Sequence, residues 1–288
     1  MLLAKAAVPV LFVLVSATSS QAQSTPQPNP KAAPIFREAT SSPSFRGPSS
    51  ALIYDVQTNL VTSVSLSGDD PTLPTFGNPP MNGVRIDIPV NPGDGSFARV
   101  EFNNGAVFCS ATLIGPRHFL TAGHCVFDGG WRNNAIVYPG YSNGKPSDLF
   151  GAHVARRFIA FSGWTVGGDF AHDLGMIELN GDFIGPSRYE IDPTKPSCQT
   201  VTGFTRHFYQ EGNSNQLMND GSHTGCKDNQ PWFFLGTGHG SSGSSAVHQG
   251  TRSIYAVRSR FNGPIGYDTW ITPAKRCFPT GRTGSPVC

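Results

Sequence analysis

Apolar and polar positions alternate along much of this chain in short runs, each stopped by Gly, Pro, Asn or Asp. Residues 85–90 (RIDIPV) and 97–102 (FARVEF) alternate in this way, and Asn104-Gly105 between Phe102 and Val107 is a hairpin signal. The same pattern predicts strands over 111–114, 135–138, 152–161 and 174–179, then over 199–204, 231–235, 244–248 and 253–259. Residues 51–66 also read as strand-like, until Asp69-Asp70-Pro71 and a Pro-rich stretch to Pro80 interrupt them. No segment has the period of a long helix, although 272–278 reads as a short helical end. Residues 207–229 are polar and aromatic by turns and receive no assignment. Many short strands between turns predict an all-β protein, a sandwich or barrels.

Composition narrows this picture. The chain has 288 residues, enough for one or two compact domains. Charged residues make up 14% and the formal net charge is +2, so no field implies a nucleic-acid partner. Lys5, the apolar run 6–15 and the small residues ending at Ala22 have the order of a secretory signal peptide, residues 1–22. That apolar run is far short of the ~20 residues of a membrane span, which predicts a secreted, extracellular protein with no membrane association in its mature form. Residues 23–50 are rich in Pro, Ser, Gln and Ala and read as flexible or removed. A pro-segment is expected over 23–63, and the folded domain over 64–288. Six cysteines in a secreted chain predict three disulfides, and no Cys-x-x-Cys pair argues for zinc.

The candidate chemistry centres on Ser242, in the small-residue run 237–247. A serine nucleophile needs a base and backbone amides aimed at the developing oxyanion, and Gly240 and Gly243 let the chain turn sharply. Ser241, Ser244 and Ser245 are rivals. His124, in Thr121-Ala-Gly-His-Cys125, is the candidate base; Cys109 and Cys125 bracket a strand and its return, so a bridge between them would hold His124 at a strand end. Asp173, leading into Leu174-Gly-Met-Ile-Glu-Leu179, would accept the Nδ1–H of His124. His172 is a rival histidine and His239 a loop residue near Ser242.

Residues 121–125, 173–179 and 240–244 together resemble the His, Asp and Ser motifs of the trypsin/chymotrypsin-like serine proteases, in that family's chain order. The spacings are 173 − 124 = 49 and 242 − 173 = 69. The resemblance covers residues 64–275 and implies two antiparallel six-stranded β-barrels with the site in the cleft between them. It places His124 and Asp173 on the first barrel and Ser242 on the second, with the amides of Gly240 and Ser242 as the oxyanion hole and no metal or cofactor. Within the family, residues 64–70, 201–204 and 237–244 are similar to the secreted glutamyl endopeptidase branch. Three departures matter. Ser241 replaces the aspartate that pairs with a new N-terminus in digestive proteases, Ser245 replaces a common proline, and Gly236 replaces the acid that selects Lys and Arg. Thr237 and Arg258 fall at pocket positions, with Arg258 in place of a pocket histidine; Arg258 and Arg260 share a strand face by alternation. The resemblance therefore implies cleavage of protein or peptide substrates after acidic residues, Glu before Asp, and processing between Ser63 and Val64. It also leads us to expect a monomer. The competing reading is a non-catalytic homologue that acts as a secreted binding module. Beyond Cys109–Cys125, three pairings of Cys198, Cys226, Cys277 and Cys288 are open; Cys198–Cys226 and Cys277–Cys288 close local loops and are favoured.

Overall fold

A computed structural model of the chain describes residues 50–66, 86–89, 94–103, 105–142, 144–185, 188–192, 204–210, 216–227, 230–234, 240–248, 251–262 and 265–278. All of these lie in one of two compact units of the chain, the one running from Ser41 to Cys288. The strands of its first half are β1 (Ser50–Asp55), β2 (Leu60–Ser65), β3 (Ile86–Pro89), β4 (Phe97–Phe102), β5 (Val107–Gly115), β6 (His118–Thr121), β7 (Ile136–Pro139), β8 (His153–Phe161) and β9 (Gly175–Leu179). Those of the second half are β10 (Glu190–Ile191), β11 (Phe204–Gln210), β12 (Gln216–Lys227), β13 (Gln230–Phe234), β14 (Ser245–His248), β15 (Ser253–Asn262) and β16 (Ile265–Trp270). Two helices of one turn each, α1 (Gly123–Val126) and α2 (Ser162–Thr165), interrupt the first half.

Hydrogen bonding closes both halves on themselves. In the first sheet β8-β7-β4-β5-β6-β9 runs in that order and β9 returns to β8, giving a closed antiparallel barrel. The second sheet closes in the same way through β15-β14-β11-β12-β13-β16 and back to β15. Each barrel therefore has six strands, as the resemblance implied. Closure leaves no open edge within the ring. β6 and β9 are buried at every position, so their outward faces are covered as well as their inward ones. Val100, Phe102, Leu113, Phe119, Phe158 and Ile177 form the centre of the first barrel, with the rings of Phe102 and Phe158 edge to face at 6.0 Å.

The ordered structure begins earlier than residue 64. β1 pairs with β8 and buries Ala51 and Ile53, while β2, among the described residues, pairs only with β1 and is exposed throughout. Residues 199–203 of the strand expected at 199–204 lie outside those described, and Phe204 opens β11. β12 fills the unassigned stretch. It is held by pairing with β11, β13 and β3, which needs no alternation of its own residues. β16 was not anticipated either. Residues 272–278 form a turn, with the Lys275 amide on the Thr272 carbonyl at 2.9 Å. The Lys275 ammonium donates to the Ala171 carbonyl at 2.7 Å, so a tertiary bond holds this segment where helix propensity does not.

Cys109 of β5 and Cys125 of α1 form a disulfide across a sequence separation of 16. No cysteine is free among the described residues, and Cys277 is also disulfide-bonded. The pairings favoured for Cys198, Cys226, Cys277 and Cys288 involve side chains outside the described residues. Closing a loop of ~15 residues stabilises a fold by about 3 kcal/mol in the chain-entropy treatment. Replacing Cys109 and Cys125 together by Ala is expected to cost about that much in urea unfolding; an unchanged midpoint would contradict the role given to this bridge.

Candidate active site

The site is assembled where β6 ends. The chain turns once through α1, with the Phe127 amide on the Gly123 carbonyl at 2.8 Å. Gly123 is required by close approach: a Cβ there would lie 2.9 Å from the Trp164 ring and 3.0 Å from the Asp173 carboxylate. The next residue, His124, donates its backbone N–H to Asp173 Oδ1 at 2.7 Å, and its ring Nδ1 meets Asp173 Oδ2 at 2.8 Å. A carboxylate on Nδ1 assigns the ring proton to that nitrogen and leaves Nε2 as the proton acceptor.

Asp173 is wholly buried, and a 3-10 turn over Phe170–His172 delivers it. Asp169 caps this turn by accepting the Ala171 amide at 2.9 Å and also holds His172 Nδ1 at 3.0 Å. His172, the rival histidine, is thus buried against a different aspartate. Ser259 Oγ donates to Asp173 Oδ2 at 2.6 Å. The carboxylate takes hydrogen bonds from a backbone amide, an imidazole and a hydroxyl of the other barrel. Burial of His124 works to lower its pKa, but the charge of Asp173 and its hydrogen bond outweigh that effect and raise it above the ordinary imidazole value. Trp164 of α2 packs edge to face on His124 at 6.1 Å and donates its indole N–H to the Phe127 carbonyl at 2.8 Å.

Ser242 enters from the second barrel on a loop stitched to the first. The Ser110 amide donates to the Ser242 carbonyl at 2.8 Å, and the Ser110 hydroxyl to the Gly240 carbonyl at 2.7 Å. Gly243 takes φ +84°, and a Cβ on it would overlap the Ser110 carbonyl and the Thr121 hydroxyl. Exposure separates the four serines: Ser241, Ser244 and Ser245 are buried, whereas Ser242 is half-exposed. The amides of Gly240 and Ser242 donate to no described residue. The Ser242 hydroxyl and His124 are not hydrogen-bonded to each other; the Cys125 sulfur lies 3.8 Å from His124 Nε2.

The trypsin family pattern matches residues 89–257, more than half of the chain, and this span contains His124, Asp173 and Ser242. The chain belongs to the trypsin family. Over 111 residues it is 33% identical to a glutamyl endopeptidase of Bacillus licheniformis, covering 36% of this chain and 34% of that protein. Over 75 residues it is 39% identical to a protein of Bacillus subtilis named an extracellular metalloprotease, covering 25% and 23%. The chain thus spans about a quarter to a third of the curated relatives it matches. A solved structure of a Glu endopeptidase in complex with MPD superposes with a TM-score of 0.57 at 24% identity, over 68% of this chain and 94% of that one.

Sequence reasoning about this trypsin-family chain missed Ser259 and Trp164. Ser259 stands between the two arginines that drew attention, at a register shift in which Arg258 faces Asp268 and Arg260 faces Tyr267. The extra residue is the one whose side chain reaches Asp173, as bulges re-aim side chains, and it interrupts the alternation expected of the two arginines. Arg258 itself is fully buried, with its Nε on Asp268 Oδ1 at 2.5 Å. Thr237, Gly236 and His239 lie outside the described residues. Among the described residues the one metal-ligating group is Cys109, His124 and Cys125, and both sulfurs are consumed by the disulfide.

Two outcomes follow for the His124–Asp173 pair. An imidazole can accept a proton only when neutral, so with His124 as the base kcat/KM is expected to rise with pH through a pKa above the ordinary imidazole value, and Asp173→Asn should move that limb to lower pH. Ser259→Ala removes a hydrogen bond to a charged group, about 1.5–3 kcal/mol, or about 10–100-fold if expressed wholly in kcat/KM. A pH–rate profile of the three proteins measures both.

Proposed function

We propose that the chain is a secreted serine endopeptidase whose triad is Ser242, His124 and Asp173. The observation that carries the reading is the buried Asp173 carboxylate bound to both the backbone and the ring of His124, together with Ser242 as the one half-exposed serine of its loop. Ser242 Oγ attacks the scissile carbonyl while His124 Nε2 takes its proton and passes it to the leaving amine. Asp173 fixes the tautomer and stabilises the imidazolium. The amides of Gly240 and Ser242 receive the oxyanion, and water then hydrolyses the acyl-enzyme. Export is supported by the signal-like residues 1–22, by the disulfide and by the extracellular relative.

Cleavage after acidic residues, Glu before Asp, is supported by likeness to glutamyl endopeptidases and by Arg258, with Thr237 as a second pocket group. Asp268 already compensates the guanidinium, so a substrate carboxylate meets a neutral pair and not a lone cation. Discrimination against uncharged residues is therefore expected to be modest. Arg258→Ala alone would leave Asp268 buried without its ion partner, a change costing about 3–5 kcal/mol. Arg258→Met with Asp268→Asn removes both charges together and is the cleaner variant.

The competing reading, a non-catalytic homologue, draws on the missing hydrogen bond between Ser242 and His124. Such bonds are often long without substrate. Stoichiometric labelling of Ser242 by an active-site-directed serine reagent is expected, and no labelling would favour the binding module. Ser242→Ala should lower kcat on the order of 10⁴–10⁶-fold, while Ser244→Ala leaves most of it. A digest of a denatured protein read by mass spectrometry should give new C-termini at Glu and Asp. Termini at aromatic or aliphatic residues would remove the acidic pocket and leave the serine mechanism standing.

A further inference from the structure

We infer that residues 50–56, on the discarded side of the expected processing site, stay in the processed enzyme as the strand that covers β8. The inference rests on the reading above that the chain is cut between Ser63 and Val64. One edge of β8 is taken by β9 over residues 155–160. On the other edge β7 reaches only His153 and Val154, and β1 pairs with residues 157–161, from Ala51 against Phe161 to Asp55 against Arg157. Without β1 that stretch would be an open edge of the barrel.

The side chains tie β1 in more firmly than its hydrogen bonds alone. Ala51 and Ile53 are buried in the main core. Tyr54 stacks on Trp131 at 5.3 Å and on Phe158 at 6.2 Å. Asp55 pairs with Arg157 Nε at 3.0 Å, and the same guanidinium binds buried Glu178 at 3.1 Å. At the two ends the Val56 amide donates to the Arg156 carbonyl at 2.9 Å and the Ser50 amide to Ser162 Oγ at 3.3 Å. β2 is the opposite case. It is exposed along its length, and among the described residues β1 is its only sheet neighbour.

The expected cut therefore falls in the loosely held strand of the hairpin and spares the buried one. Hydrolysis of the bond between Ser63 and Val64 consumes one water, leaving a carboxylate on Ser63 and an amine on Val64. Separation of the new ends costs β1 only the pairings of Ser50 with Ser65 and Ala51 with Val64, and leaves its pairing with β8 and its side-chain contacts in place. Residues 50–56 keep their place as a non-covalent subunit of the barrel. The position matters for catalysis because β8 runs directly into α2, whose Trp164 packs on His124.

The test is mass spectrometry of the secreted, processed enzyme, native and denatured. The expected result is a native mass equal to the chain from Val64 plus one fragment ending at Ser63 and containing residues 50–56, separated only by denaturation. An active single chain that begins upstream of Ser50 would also keep β1 in the enzyme, and would overturn the cut site alone. An active enzyme beginning at Val64 with no fragment would overturn the inference. Tyr54→Ala with Asp55→Asn leaves Ala51 and Ile53 in place. This variant should lower the unfolding temperature, release the fragment on dilution and lower activity in step with that release. Activity and unfolding temperature unchanged in this variant would also count against it.

Discussion

Everything at the site depends on one buried carboxylate being fully hydrogen-bonded. A charge removed from water costs several kcal/mol unless donors replace its hydration. Asp173 receives them from the backbone of α1, from the His124 ring and from Ser259 of β15. Two of these donors belong to His124 of α1 and the third to the other barrel, so the carboxylate is satisfied only when the one-turn helix and both barrels are in register. The 3-10 turn that carries Asp173 is fixed in its own right by Asp169, which also takes up the adjacent histidine. The stability of the barrels and the orientation of His124 are in this way the same constraint.

The architecture was legible because closed barrels of short strands leave a period of two in the sequence, and Phe97–Phe102 shows it openly. It was least legible where pairing partners, not side-chain alternation, make the strand. β12 carries Asn, Asp, Gly, Ser and His and is a strand because β11, β13 and β3 flank it. The helical end expected at 272–278 failed for a related reason: a lysine bonded to a distant carbonyl decides that conformation.

The site was legible in parts. Thr121-Ala-Gly-His-Cys125 and Asp173 could be paired from motif and order, and the structure places them in contact. Ser259 could not, because its role arises from a slip in register that no local pattern announces. Arg258 illustrates the reverse limit. Its position on β15 was readable, but not that Asp268 of the neighbouring strand compensates its charge in the interior. Residue type tells which charges are present; only packing tells which have already been neutralised.

The stitching of the Ser242 loop has a mechanical consequence. Through Ser110, the backbone on either side of the Ser242 hydroxyl is bonded to β5, while the Gly243 amide is bonded to the Arg258 carbonyl of the other barrel. The loop is thus clamped by two bodies, and any slide of one barrel against the other is passed directly to the hydroxyl. Misplacement by ~1 Å can cost ~10²-fold in rate, a far smaller movement than either barrel needs to lose its core. With Ser242 as the proposed nucleophile, activity would act as a strain gauge for the alignment of the barrels and would fall while both barrels are still folded.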